Sequence, residues 1–305
     1  MDLVFEHDAT ADDHALQRRR LMDVGYRMLG SVSEAEDVVQ ETYARWFGLP
    51  DAQRAAVERP TAWLVRVASR ICLDVLGSAR ARREKYVGEW LPEPVPEQAR
   101  WSSQSGGGRP VDPADQVTVD ESVGMAMLVV LETMTPAERV AFVLHDVFGF
   151  PFTEVAAVLD RTSAACRQLA TSARRRVQGA QAQEGARPGD AEVVSGFRTA
   201  WETGDFAALL AVLDPEATVV ADGGGKVAAA LDPVHGADAV ARFFLGVRER
   251  APALVIIPAV VNGGPGLVVR ADGEVVTVLA TQLVDGRLRH LWAVRNPDKL
   301  GAWRQ

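Results

Sequence analysis

The sequence predicts a multidomain chain with two all-α blocks followed by a C-terminal α+β domain. Three observations carry this reading. Apolar residues recur at spacings of three and four through residues 12–88 and again through 120–178, the period of an amphipathic helix. Between these blocks lies "WLPEPVPEQARWSSQSGGGRPVDPADQ", rich in Pro, Gly and Ser and without period, as a linker is. From about Ala191 the pattern changes to two short helical runs and then to apolar runs of strand length.

Composition bounds the function classes. A chain of 305 residues, 48% hydrophobic and 24% charged, has the make-up of a globular protein with two or three domains. No apolar run reaches the length that crosses a bilayer, and the acidic N-terminus has no apolar core of a signal peptide, so a cytoplasmic protein without a membrane role is expected. The two cysteines, Cys72 and Cys166, sit far apart in helical patterns and read as small core residues, neither a disulfide nor a metal pair. No metal site and no cofactor motif is found. The net charge of −8 argues against a protein coated in base. Arginines nonetheless cluster at 80–83 and at 161–176, and DNA affinity needs only local phosphate neutralisation.

In the first block a helix is expected over about 13–29, stopped by Gly30. A second spans "SEAEDVVQETYARWF", Ser33–Phe47, with Ser33 and Glu36 as a capping box. Its apolar face is Ala35, Val38, Val39, Thr42, Tyr43 and Trp46; the opposite face carries Asp37, Gln40 and Glu41. Such a face is either solvated or a docking surface for a basic partner. A third helix follows Pro60 with Thr61 as its cap, and Arg66, Arg70 and Asp74 share one side of it.

In the second block "TPAE" at 135–138 is a capping box with Pro136 at the first helical position. Thr153 is placed as the cap of a short helix ending near Asp160, and Thr162 as the cap of another. This pair reads as a helix-turn-helix. Its second member has a core stripe of Cys166, Leu169, Ala173 and Val177. Ser163, Arg167, Gln168, Arg174 and Arg175 point away from that stripe, a residue set suited to base edges and phosphates. Beyond 191, helices are expected at "EVVSGFRTAWETGD", "FAALLAVL" and 237–249. The strand runs are "ATVVAD", "ALVIIPAVV", "GLVVRA", "EVVTVLATQLV" and "RLRHLWAV", forming an antiparallel meander with a hairpin turn at Asp285-Gly286.

The order of these parts resembles the extracytoplasmic-function sigma factors of bacterial RNA polymerase. "AEDVVQETYARWF" is similar to their region 2.2, "PTAWLVRVASRICLD" to regions 2.3 and 2.4, and residues 128–177 to region 4. The tail resembles SnoaL-like domains of the NTF2 fold. With "WLPEP", "DGGGK" and "NPDKL" the chain resembles the SigJ-like subgroup, which carries that domain fused. The resemblance implies two all-α sigma domains, 1–88 (region 2 bundle) and 120–180 (region 4), joined by a flexible linker at 89–119. A short linker at 181–190 would lead to a regulatory α+β cone domain at 191–305.

It also implies partners and roles. Core RNA polymerase, through its β′ and β subunits, would meet Asp37, Gln40 and Glu41. Promoter −10 DNA would meet Arg70, Asp74, Arg80, Arg82 and Arg83, although Val75 and Gly77 stand where family members often carry arginines. Promoter −35 DNA would meet Ser163, Arg167, Gln168, Arg174 and Arg175. Asp222, Gly223, Gly224, Lys226, Asn296, Pro297, Asp298 and Lys299 are the expected regulatory contacts between the C-terminal domain and the sigma modules. A small-molecule pocket there would use Trp201, His235, His290 and Trp292, and no tyrosine of that domain is at hand as an oxyanion donor. Two other functions compete: a ligand-responsive DNA-binding regulator, and a pocket enzyme with a DNA-binding appendage.

Overall fold

A computed structural model of the chain describes residues 11–83, 86–97, 124–181 and 188–304. They fall into two compact units. The first contains residues up to 76 together with 136–170; the second contains 77–97, 124–135 and everything described from 171 onward.

The first unit is helical. α1 (Ala11–Leu29) ends at Gly30, whose φ of +69° is the left-handed conformation glycine adopts without cost. α2 (Val32–Phe47) buries Ala35, Val38, Val39 and Thr42, the stripe expected from its spacing. Its cap differs from expectation. Ser31, not Ser33, accepts the backbone N–H of Glu34, and the Ser33 hydroxyl turns to that of Ser31. A second serine two residues upstream competed for the same role. The backbones of α1 and α2 approach closely where Gly25 faces Ala35; a Cβ on Gly25 would lie 3.0 Å from that of Ala35.

A short helix, α3 (Asp51–Ala55), went unforeseen because five residues carry no period. α4 (Pro60–Arg83) starts at the proline itself, so Thr61 lies inside it and does not cap it. After the linker come α5 (Met125–Glu132), which belongs to the second unit, and α6 (Pro136–Phe142), which opens on its proline as expected. α6 runs into a π-helical turn at Val143–Val147. α7 (Phe152–Leu159) is preceded by Pro151, which places Thr153 within the helix, and it closes on Asp160 in the left-handed conformation. α8 (Ser163–Gln181) is capped by Thr162, which accepts from Ala165 N–H at 3.2 Å. Cys166, Ala170, Ala173 and Val177 are its buried stripe, with Leu169 half-buried beside them. Cys72 and Cys166 are both buried free thiols.

Helices from either side of the linker pack together in this first unit. Arg139 of α6 is almost wholly buried and donates to the Met28 carbonyl at 2.7 Å, closing the C-terminal end of α1. Burial lowers its pKa to about 10, which leaves it charged at neutral pH. The Arg27 guanidinium lies 6.0 Å from the Phe148 ring centre, and Arg59 pairs with Glu154 at 3.1 Å.

The second unit is built on a six-stranded sheet of order β2-β1-β6-β5-β4-β3. Its strands are β1 (Leu213–Asp222), β2 (Val234–His235), β3 (Val255–Val261), β4 (Gly264–Ala271), β5 (Glu274–Val284) and β6 (Arg287–Val294). β3 to β6 form the expected antiparallel meander, and the turn at Asp285-Gly286 has both φ angles positive, the twist a tight hairpin needs. β1 departs from it by pairing parallel to β6. Alternation along a strand reports which face is buried, not which neighbour it pairs with.

One face of the sheet carries α9 (Asp190–Thr203), α10 (Phe206–Val212) and α11 (Ala237–Arg250) over a core of Phe197, Trp201, Leu213, Phe244 and Leu291. The other face is covered by Leu91 and by Met125 and Ala126 of α5, which meet Val278, Trp292, Val294 and Leu300. The linker expected from residue 89 is therefore packed at its start. Val95 accepts from Asn262 N–H at 2.9 Å, and Pro96 forms an antiparallel bridge with Val261. Residues 98–119 of that linker, and 182–187 of the second, lie outside the described residues.

Candidate functional site

Four surfaces bear on function. The first is α2. Burying its apolar stripe leaves Asp37, Gln40 and Glu41 exposed together on the far side, as the periodicity required. Glu41 takes one bond, from Arg45 Nε at 2.8 Å one turn on. Carboxylates held on a rigid helix but still hydrated can accept charge-assisted bonds from a basic partner.

The second is α4. Arg70 and Asp74 are exposed, one turn apart. Arg70 Nη1 donates to the Val158 carbonyl at 3.2 Å, so this −10 candidate is engaged with the last turn of α7. The side chains of Arg80, Arg82 and Arg83 lie outside the described residues.

The third is the start of α8. Arg167, Gln168 and Arg175 are exposed, with Ser163 and Arg174 half-buried beside them. The Arg167 guanidinium lies 5.7 Å from the Phe152 ring centre of α7. A helix offering Arg and Gln side chains to solvent, behind a tight turn closed by Asp160, has the form of a groove reader.

The fourth is a polar clasp in the second unit, centred on Asp222 at the end of β1. Its side chain is fully buried. One oxygen accepts from the Tyr86 hydroxyl at 2.6 Å and from Gly224 N–H at 3.0 Å. The other accepts from Leu91 N–H at 3.0 Å and from Lys299 Nζ at 2.7 Å. Lys299 also donates to the Leu91 carbonyl at 2.5 Å and lies 4.0 Å from the Trp90 ring centre. Asn296 donates to the Tyr86 oxygen at 2.8 Å. Burial, with the Asp222 carboxylate beside it, raises the Tyr86 pKa. Glycine is required at 224, where φ is +60° and a Cβ would collide with the Asn296 side chain and the Tyr86 hydroxyl. Lys226 and Asp298 pair at 2.5 Å on the rim, and Pro297 opens the short 3-10 turn that presents Lys299. The eight residues from "DGGGK" and "NPDKL" thus come together, and what they hold is the chain just after α4.

Tyr86 and Leu91 escaped the sequence reading. No tyrosine lies within the C-terminal domain, yet Tyr86 reaches that domain's carboxylate from outside it. A partner 136 residues away leaves no periodic trace. Arg139 escaped as well, since nothing local distinguishes it from a solvated arginine.

The four pocket candidates are not brought together. Trp201 is core, with its ring centre 4.8 Å from Phe244 and 6.1 Å from Phe197. His235 is exposed on the edge strand β2. His290 and Trp292 are stacked on the opposite face of the sheet from Trp201, with His290 Nδ1 2.8 Å from the Thr218 hydroxyl. Burial, then the charge of Arg289, lowers the His290 pKa. Among the described residues no cluster could hold a metal ion, and no helix is long and apolar enough to cross a membrane.

Comparison with known proteins agrees with this layout. Residues 16–83 match Sigma-70 region 2, and residues 124–177 match Sigma-70, region 4. The ECF RNA polymerase sigma factor SigJ of Mycobacterium tuberculosis is 40% identical, the match covering 92% of this chain and 90% of that protein. A probable ECF RNA polymerase sigma factor, SigI, of the same species is 33% identical over 97% of this chain and 96% of its own length. The crystal structure of M. tuberculosis extracytoplasmic function sigma factor SigJ superposes with a TM-score of 0.73 at 35% identity, covering 95% of this chain and 98% of that one.

Proposed function

The chain belongs to the extracytoplasmic-function sigma factors of RNA polymerase, and on that premise we propose how its surfaces divide the work. Its partners are core RNA polymerase and promoter DNA. Asp37, Gln40 and Glu41 dock on a basic surface of the β′ subunit, with β as a second contact. Arg70, Asp74 and the arginines at 80–83 hold the melted −10 strand. Ser163, Arg167, Gln168, Arg174 and Arg175 read the −35 duplex in the major groove. The protein acts in the cytoplasm, where polymerase is.

The C-terminal domain tunes this activity by contact. The observation that carries the reading is the clasp. One buried carboxylate and one buried ammonium grip residues 86–91, directly after region 2, while the same sheet face buries the first helix of region 4 through Met125 and Ala126. A domain that holds the near ends of both modules favours one arrangement of them over the spread required at a promoter. The pocket-enzyme reading loses support because Phe197, Trp201 and Phe244 fill the core between sheet and helices with ring contacts. A repressor-type regulator has no use for a bare acidic α2 face.

Transcription in vitro from a matching promoter tests both parts. Core polymerase should initiate there only with this protein. Tyr86→Phe, which removes the clasp bonds to Asp222 and from Asn296, should shift output at unchanged affinity for core polymerase. No promoter-dependent transcript would overturn the sigma assignment, and identical output from Tyr86→Phe would overturn regulation through the clasp.

A further inference from the structure

At the outer edge of the sheet, which Pro96 bridges only at Val261, β3 and β4 border a cleft of about 270 Å³. Ile257, Pro258 and Val268 give it an apolar floor, and the Trp303 indole, Arg270 and Glu97 complete its lining. Arg270 is the unusual member. Its Nε is buried without a hydrogen-bond partner. Arg20, Arg139 and Arg198 also have a buried, unbonded Nε, but Arg139 and Arg198 bond through Nη1 and Arg20 has other interactions, whereas no side-chain nitrogen of Arg270 meets an acceptor among the described residues. Buried guanidinium nitrogens are nearly always paired, because leaving one desolvated and unbonded is costly.

The Trp303 ring beside Arg270 is fixed, since its Nε1 donates to the Pro94 carbonyl at 2.8 Å. An apolar, aromatic-walled cleft lined by one guanidinium with no side-chain acceptor among the described residues suits a carboxylate attached to a hydrocarbon. Glu97 is exposed, so its charge is well screened, but it disfavours a second negative charge on the guest. A peptide strand or a second copy fits poorly at this edge. Pro258, midway along β3, lacks the N–H an added strand would need.

We propose that this cleft is a binding site for a small monocarboxylate with a flat or branched hydrocarbon body. The carboxylate sits on Arg270, and the body lies against Ile257, Val268 and Trp303. The site stands on the outer edge of the sheet, away from the core of Phe197, Trp201 and Phe244, and its occupancy is independent of polymerase and promoter.

Calorimetric titration of the full chain with benzoate and 4-methylpentanoate, and with the two corresponding amides, tests it. At least one acid should saturate with a Kd below about 1 mM, and its amide should bind at least about tenfold more weakly. Arg270→Gln should lose about tenfold in affinity for the acid while keeping the native circular dichroism spectrum, and Arg270→Lys should recover part of the loss. The proposal falls if neither acid saturates, if acid and amide bind alike, or if Arg270→Gln binds as the parent does. It falls equally if the chain forms a dimer that Val255→Lys dissociates, for then the edge is covered by a second copy.

Discussion

Two acidic sites in this molecule are chemically alike and physically opposite. On α2 the carboxylates stand in water, and the side chain of Glu41, half exposed, bonds only Arg45. At the end of β1 the Asp222 carboxylate is fully buried, and both oxygens are engaged by groups from distant parts of the chain. A hydrated carboxylate on a fixed face keeps its bonding capacity for a partner. A desolvated and saturated one has already spent its capacity on the fold. Solvent, more than residue type, decides whether an acidic group is an outward surface or an internal joint.

The largest expected effect comes from breaking the internal joint. Asp222→Ala leaves the Lys299 ammonium buried without its carboxylate and strands the Leu91 N–H, so the second unit should lose about 3–5 kcal/mol of stability in urea unfolding followed by tryptophan fluorescence. A loss under about 1 kcal/mol would erase the distinction drawn here. Reversing the outward surface comes next. Asp37→Lys with Glu41→Lys should leave stability within about 0.5 kcal/mol, because both positions are exposed. Binding to core polymerase should weaken by about 2 kcal/mol or more, read by titration of labelled protein. Unchanged affinity would mean this face is merely solvated. The smallest effect sharpens the contrast inside the clasp itself. Lys226→Ala removes an ion pair whose members are 53% and 62% exposed, and should cost less than about 1 kcal/mol in the same unfolding assay. A cost matching that of Asp222→Ala would show that burial is not what ranks these pairs.

The sequence made one of these sites legible and the other only partly so. The α2 face follows from a period of 3.6, because burying Ala35, Val38, Val39 and Thr42 leaves Asp37, Gln40 and Glu41 no other place. The helix-turn-helix was legible for the same reason, helped by turn-forming Asp160 and by Thr162 as a cap. Asp222 and Lys299 carry no such signal; only resemblance marked them, and their joint partner Tyr86 was invisible. Helix starts were misplaced by one or two residues at Ser33, Thr61 and Thr153, where neighbouring serine or proline fills the role. The parallel pairing of β1 with β6 also escaped, since strand order depends on contacts that local patterning does not encode.

That strand order has a consequence for the life history of each molecule. β6 lies inside the sheet, between β1 and β5, and Lys299 follows Asp222 by 77 residues. At a synthesis rate of roughly 5–20 residues per second, about 4–15 s separate the appearance of the two partners. Regions 2 and 4 have both been made by then. Every newly synthesised copy therefore passes through an interval in which the residues of both helical regions exist and the Asp222–Lys299 pair does not. Age, counted in seconds from the ribosome, becomes a variable that distinguishes otherwise identical copies.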